Sequence, residues 1–501
     1  MTVPDNTVDI LVVGGGINGT GIARDAAGRG LSVLLAEQGD LGGATSSASS
    51  KLIHGGLRYL EQPAFRLVAE SLHEREVLLR AAPHLVQAMR FVMPHVPELR
   101  PAWMIRAGLL LYDLLARRQT LPGSRTVDLT RPPWNDGLQP ALRRGFAYSD
   151  CRVDDARLVI ATARSAAAGG AAVLVRTACT ALCRDGALWR ARLQPVNGAA
   201  REIAARAVVN AAGPWAKSFL AGVASTAAPF GLRLVQGSHI VVPRLYEGDH
   251  AFILQNDDRR VIFACPWESR YTLVGTTDVE WHGRPEDSAA SPQEVDYLCR
   301  AVNRYFRTMI GAQDVVHRYA GIRPLFDDGS ADPSQVSRDY ELRLSGATGE
   351  PALLSVFGGK ITTYRRLAEQ AVESLRPRFP QMGPRWTEEA FLDGGDLGAG
   401  GWAGFIGQAA RDFPWLPQPV LVALARRHGT NLHVLLGRAT NPADLGEDYG
   451  ATLYAREVDW FIDHEWARTA DDVLWRRTKC GLHLAPAQQQ AVAAQIARRL
   501  S

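Results

Sequence analysis

Between residues 9 and 37 the chain reads DILVVGGGINGTGIARDAAGRGLSVLLAE, an order that few folds accept. An apolar run of β-formers, Asp9 to Val13, enters Gly14, Gly16 and Gly19 at G-x-G-x-x-G spacing. A small-residue helical stretch follows, then a second apolar run, Ser32 to Ala36, closed by Glu37. The pattern predicts a βαβ unit whose acid stands at about the 20-residue distance of a ribose contact. Gly14 allows the tight turn, Gly16 lets a pyrophosphate reach the backbone, and Gly19 lets the helix lie against the sheet. The helix start at Ile17 and Asn18 presents N–H groups and the positive end of the dipole to the phosphates. The motif calls for a dinucleotide but does not separate NAD from FAD.

A chain of 501 residues predicts two to four domains, and 46% hydrophobic with 22% charged residues fits a globular enzyme with a large core. A net charge of +4 gives no reason to expect nucleic acid. Only four of the 56 basic residues are lysines (Lys51, Lys217, Lys360 and Lys479), so each lysine position is the more informative. The six cysteines form no C-x-x-C pair and no metal pattern, and read as small hydrophobes in a reducing compartment. No metal is expected. The N-terminus has no basic region before its first strand and does not read as a signal peptide. No apolar run reaches the roughly 18 residues of a membrane span. The nearest, Ala107 to Ala116, is interrupted by Asp113.

Along the chain, residues 64 to 90 read as helix, broken by Pro94, Pro97 and Pro101. Residues 103 to 118 are helical and apolar on nearly every side, and 119 to 145 read as loop. Asp154 and Asp155 open a helix to Ala168. Ala171 to Val175, Ala207 to Gly213 and Leu353 to Phe357 read as strands, the last ending in Gly358-Gly359-Lys360. Residues 233 to 280 alternate as in an antiparallel sheet. From Trp386 the pattern is helical. The expected organisation is a discontinuous nucleotide-binding domain (7–60, 150–232 and 350–375), a substrate or cap domain (61–149 and 233–349) and a C-terminal helical domain (386–501). Ligand sites in such α/β folds lie at the carboxyl ends of the parallel strands.

Further segments carry a resemblance. They are Ala44-Thr45-Ser46-Ser47 with Ser50-Lys51-Leu52-Ile53-His54-Gly55-Gly56-Leu57-Arg58-Tyr59, Asn210-Ala211-Ala212-Gly213-Pro214-Trp215, Gly237-Ser238-His239-Ile240, and Gly275-Thr276-Thr277-Asp278. Gly321-Ile322-Arg323-Pro324-Leu325, Ser355 to Tyr364, and His464-Glu465-Trp466 with Trp475 to Lys479 complete the set. In this order, along nearly the whole chain, they resemble the FAD-dependent glycerol-3-phosphate dehydrogenases of the bacterial aerobic, membrane-associated type. Asp40 to Gly43 is a mild loop variation.

The resemblance implies an α/β fold: a Rossmann-like FAD-binding domain of the glycine-oxidase type, an antiparallel substrate domain and a C-terminal helical domain. It implies oxidation of glycerol 3-phosphate to dihydroxyacetone phosphate by hydride transfer to FAD, with electrons passed to a membrane quinone. It also implies attachment to the anionic cytoplasmic face of the inner membrane, and leaves room for a homodimer. FAD contacts are expected from Gly14, Gly16, Ile17, Asn18, Gly19, Glu37, Thr45, Ser46, Ser47, Lys51, Leu52, Ile53, His54, Gly55, Gly56, Ala212, Gly213, Trp215, Gly359 and Thr362. Arg58, Tyr59, Thr276 and Arg338 are expected around the substrate, with Arg323 and Lys360 in catalysis. Arginine forks and a lysine suit a phosphate dianion. His239, whose reference pKa is about 6.5, is the expected general base, and His54 is its rival. The helix at 103 to 118 reads either as a buried cap or as an interfacial helix with Trp103 and Tyr112 at headgroup level and Arg106, Arg117 and Arg118 near anionic lipid. Other readings of the chain are an oxidase of the same fold using oxygen, an NAD-linked dehydrogenase, and a flavin-binding module without turnover.

Overall fold

Stretches far apart in sequence meet as neighbouring parallel strands of one sheet. The computed structural model describes residues 7–57, 60, 64–116, 120–224, 231–258, 260–327, 339–347 and 349–501. Arg58, Tyr59 and Arg338 lie outside the described residues, as do Arg117 and Arg118. The strand order is Glu341–Ser345, Ala352–Phe357, Arg201–Asn210, Thr7–Val13, Val33–Ala36 and Ala172–Leu174. All neighbours from Ala352–Phe357 onward in that order pair in parallel. Glu341–Ser345 runs antiparallel at one edge. The hairpin Thr177–Asp185 and Leu188–Pro195 joins through Arg201–Asn210. Ile10, Leu11 and Val12 are fully buried, as the unbroken apolar run of a two-sided parallel strand requires.

Register decides where function can sit. Val13 lies opposite Ala36 and Asn210, and Asn210 lies opposite Ser355. Three carboxyl ends therefore finish at one level, and the strand Ala352–Phe357 runs two residues further on the same side. Helix Ile17–Gly28 covers one face, packed on Asp155–Ala168 and Tyr364–Ser374. The Asp154 carboxylate caps the Asp155 helix by accepting from the Arg157 N–H at 3.1 Å.

A second, mostly antiparallel sheet stands over these strand ends. Its functional part is Leu232–Pro243, paired with Tyr271–Gly275 on one side and His317–Phe326 on the other. Four elements differ from the sequence reading. Val86–Pro94 is a strand paired with Arg144–Val153, not the end of a helix, because the helix stops at Ala81 ahead of Pro83. Within the expected loop at 119 to 145, Arg125–Asp128 forms an edge strand on Arg144–Val153. Leu52–Ile53 pairs with Cys151 and Arg152 in the second sheet, whereas Glu341–Ser345 belongs to the first.

The C-terminal helices, among them Gln418–His428, Ala455–His464 and Pro486–Leu500, enclose a core of their own around Leu421, Val458, Phe461 and Val492. They dock on the helix Asp155–Ala168 and on the loop after Val33–Ala36 through ion pairs: Arg157 with Glu465 and Arg477 with Asp40, both buried, and Lys479 with Asp154 at 3.0 Å. Burial alone would raise the Glu465 carboxyl, but Arg157, through charge and hydrogen bonds, outweighs it and holds the group at about 2. That lies below the ordinary 4.5, so the pair's contribution is complete above pH 4.5 and is lost as pH falls towards 2. Arg157→Met should destabilise the protein by about 3–5 kcal/mol near neutrality, since it strands a buried carboxylate. Denaturant unfolding at several pH values checks this, with the deficit of the variant shrinking as the pH is lowered.

Candidate active site

A cleft of 1240 Å³ opens where the four strand ends meet the second sheet. The glycine turn forms its floor. The Gly14 N–H donates to the Ala36 carbonyl and the Ala211 N–H to the Val13 carbonyl, each at 2.9 Å. Gly14 has φ +112°, and a Cβ there would overlap the Ala211 carbonyl. A Cβ on Gly19 would overlap the Gly14 carbonyl, so Gly19 sits beneath the turn and off the cleft. Gly16, Ile17 and Asn18 line the cleft. The Ile17 N–H donates to Ser46 Oγ at 3.0 Å. Asn18 Nδ2 donates to the Gly358 carbonyl at 3.2 Å, while its buried Oδ1 has no hydrogen-bond partner among the described residues.

Glu37 closes the second strand as expected and faces the cleft. Its two oxygens accept from the N–H groups of Gly15 and Gly39, both at 2.6 Å. Burial raises its pKa, and these amides only partly offset the rise. Each oxygen keeps a second lone pair, which suits paired ribose hydroxyls.

The hydroxyl-rich loop borders the cleft at Thr45, Ser46, Ser47 and Lys51. Thr45 Oγ1 donates to the Ile322 carbonyl at 2.6 Å and ties the loop to the second sheet. The Lys51 ammonium is held by Asp155 and by the Ser47 carbonyl at 2.9 Å, so its charge braces the loop. Leu52, His54 and Gly56 face the cleft; Ile53 and Gly55 do not. Ile53 is fully buried in the core, and the Gly55 N–H donates to the Tyr112 hydroxyl at 2.9 Å. Opposite stand Ala212, Gly213, Trp215, Gly359 and Thr362. Thr362 Oγ1 accepts from the His54 N–H at 3.2 Å, joining the two walls.

The second sheet brings Thr276 and Arg323 to the same cleft, and the Gly358-Gly359 strand exit brings Lys360. Arg323 is already oriented: Nη1 donates to Asp278 at 2.5 Å and Nη2 to Thr276 Oγ1 at 3.0 Å. His239 is not on the cleft surface. It is 1% exposed, opposite Gly275 and Tyr319 in the strand register. Its Nε2 meets Ser50 Oγ at 2.9 Å, and its ring stacks on Tyr319 at 4.9 Å. Burial, then Arg323 and Lys51, push its pKa well below 6.5.

Two groups of residues escaped the sequence reading. Glu294 accepts from Thr277 Oγ1 at 2.6 Å, Ser238 Oγ at 2.8 Å and Gln236 Nε2 at 2.8 Å, tying the strand of His239 to the segment that follows its neighbour Tyr271–Gly275. The capping box Ser291-x-x-Glu294 marks the start of the helix Pro292–Asn303 and is legible in sequence. The C-terminal domain supplies Asp472, Trp475, Arg476 and Lys479 to the cleft wall. Arg476 pairs with Asp40 at 2.5 Å, Asp472 with Arg176 at 2.7 Å, and Trp475 stacks on His317 at 4.3 Å. No spacing rule announces contacts of such separation.

A glycine turn, an acid at the next strand end and a deep cleft beside them accommodate a dinucleotide. The sequence model of the "FAD dependent oxidoreductase" family matches residues 9–365. The chain belongs to that family. FAD is the cofactor of this oxidoreductase, and the orphaned Asn18 oxygen and the cradle at Gly14 and Gly16 fit it. Residues 385–501 match the C-terminal domain of alpha-glycerophosphate oxidase. The glycerol-3-phosphate dehydrogenase of Pseudomonas aeruginosa is 54% identical over 96% of this chain and 93% of its own. The aerobic glycerol-3-phosphate dehydrogenase of Escherichia coli is 49% identical over 97% of this chain and 96% of its own. The D-erythritol 1-phosphate dehydrogenase of Brucella abortus is 48% identical over 97% of both. Among solved structures, the glycerol-3-phosphate dehydrogenase from Bacillus halodurans complexed with FAD superposes with a TM-score of 0.76 at 25% identity, covering 99% of this chain and 95% of that one.

Gly14→Ala should weaken FAD by at least about tenfold, the factor that 1.4 kcal/mol represents. Gly198 also has a positive φ, of +129°, but in open space, so Gly198→Ala should keep its FAD. Flavin fluorescence released on dilution measures both.

Proposed function

We propose that this oxidoreductase converts sn-glycerol 3-phosphate to dihydroxyacetone phosphate and delivers the electrons to a membrane quinone. The observation that carries the reading is the placement of Arg323, Lys360 and Thr276 on the cleft that also holds the glycine turn. A phosphate dianion needs such donors, and the names of two relatives about half identical to this chain agree. By resemblance, Arg58, Tyr59 and Arg338 join them. Bound FAD supplies the two-electron acceptor that takes the C2 hydrogen as hydride. Arg323, steered by Asp278 and Thr276, orients the phosphate or the C2 oxygen, and Lys360 adds charge from the opposite wall. His239, kept neutral by its burial and the nearby cations, is the base for the hydroxyl proton.

The substrate test compares glycerol 3-phosphate, erythritol 1-phosphate and glycerol in flavin reduction. Charge-assisted contacts contribute about 1.5–3 kcal/mol each, so glycerol should lose at least about 10³-fold in kcat/KM. Comparable rates for glycerol and its phosphate would end the phosphate-site assignment. A clear preference for the four-carbon phosphate would move the substrate to that of the Brucella relative. The competing acceptor is oxygen, a reading favoured by the oxidase description of the C-terminal match. Stoichiometric peroxide in aerobic turnover would establish it in place of quinone.

Membrane attachment rests on helix Ala102–Leu115. Ile105, Leu109 and Tyr112 are buried, whereas Trp103 is 71% and Leu114 65% exposed. Tyr112, which the interfacial reading set at headgroup level, instead donates its hydroxyl to Asp150 at 2.7 Å inside the protein. Arg106 bonds Ser124 Oγ at 2.7 Å. No helix among the described residues is long and apolar enough to cross a membrane. The outer face of this helix fits the interfacial depth of the cytoplasmic leaflet. Trp103→Ser with Leu114→Ser should weaken binding to anionic liposomes by about tenfold or more, with flavin reduction in solution unchanged. Equal sedimentation of parent and variant with liposomes would point the attachment elsewhere.

A further inference from the structure

We infer that the Ser50 hydroxyl stands between substrate and base: it takes the C2 hydroxyl proton while passing its own to His239 Nε2. The inference rests on the reading of His239 as base. Its ground is that His239 cannot meet the substrate directly. The imidazole is buried behind the cleft wall, covered on one face by Tyr319 with only 15° between the ring planes. On another side it crowds Gly275, where an added Cβ would strike its Cδ2. Ser50, by contrast, lines the cleft, and its Oγ is 2.9 Å from Nε2.

Ser50 is held in place by its neighbours. Ser49 Oγ donates to Asp155 at 2.7 Å, and Lys51 Nζ is bound to the same carboxylate. The Tyr319 hydroxyl donates to the Ser49 carbonyl at 2.9 Å, so the residue that covers the imidazole also fixes the loop. A hydroxyl between two pinned residues keeps its distance to Nε2 without paying rotamer freedom at each turnover.

The step balances. The substrate O–H bond breaks as Ser50 Oγ gains that proton, the Ser50 O–H bond breaks as Nε2 gains its proton, and the C2 hydrogen departs with two electrons as the carbonyl forms. The relay uses the tautomer with its proton on Nδ1, an atom without a hydrogen-bond partner among the described residues. Once the product has left, the proton returns to water through the same hydroxyl. The charged groups around the imidazole are Arg323, paired with Asp278, and Lys51, paired with Asp155.

The test uses the FAD-loaded protein and measures flavin reduction at saturating glycerol 3-phosphate, solvent proton inventory, FAD stoichiometry and product affinity. Ser50→Ala should slow reduction about 10²-fold, as His239→Asn should, with the double variant no slower than either single one. FAD content and product affinity should stay near those of the parent. The proton inventory of the parent should be curved, two protons being in flight. A normal rate in Ser50→Ala beside a slow His239→Asn would overturn the relay and leave the base in place. A normal rate in His239→Asn would remove the base itself, and the relay with it. Should the alanine variant lose FAD, Ser50→Thr against Ser50→Val gives the same comparison between near-isosteres. Equal rates for that pair would overturn the relay.

Discussion

Everything at this site depends on four parallel strands held in one register with their carboxyl ends on one side. The hydrogen bonds that align Val13 with Ala36 and Asn210, and Asn210 with Ser355, bring together the chemistry of four distant segments. A shift by one residue in any strand would turn its side chains to the other face and carry its exit loop out of the cleft. The glycine turn, the Glu37 acid, the Ala212–Trp215 loop and the Gly358–Lys360 exit are useful only because that register holds.

The charges around the cleft come with partners. Lys51 is held by Asp155, Arg323 by Asp278, and Arg476 by Asp40. An ionised group in a crevice needs such a partner, because desolvation without one would neutralise it or move it. The pairing keeps cations aimed at one volume without collapse onto each other. It also divides their labour: Lys51, one of the chain's four lysines, is bound into loop structure, while Arg323 is braced from behind and faces the cleft.

What the sequence disclosed follows from the range of the interactions. The glycine turn, Glu37 and the strands around them are written within some thirty residues, and their periodicity and small residues are legible. The FAD cofactor and the two-sheet architecture follow from these with the resemblance. Val86–Pro94 was missed because its apolar positions satisfy a helical spacing as well as a strand, and pairing with Arg144–Val153 decides between them. The burial of His239 was equally hidden. It arises from the cross-strand pairing with Tyr319 and Gly275, which no local pattern encodes. Ile53 fell away from the cleft because neighbours in a strand face opposite sides, and Gly55, beyond the strand, because its N–H is turned to Tyr112 inside the protein. The C-terminal contribution to the wall needed the whole fold.

That last contact sets an order of events. Arg477 and Asp40 stand 437 residues apart, and Arg476 reaches the same carboxylate. During synthesis the glycine turn leaves the ribosome long before the segment that builds the wall beside it. Until that segment emerges, the cleft is open on one side and the Asp40 carboxylate lacks both arginines. Enclosure of the cofactor therefore waits on residues 472 to 479, and a chain stalled before residue 476 would leave the Asp40 side of the cleft open.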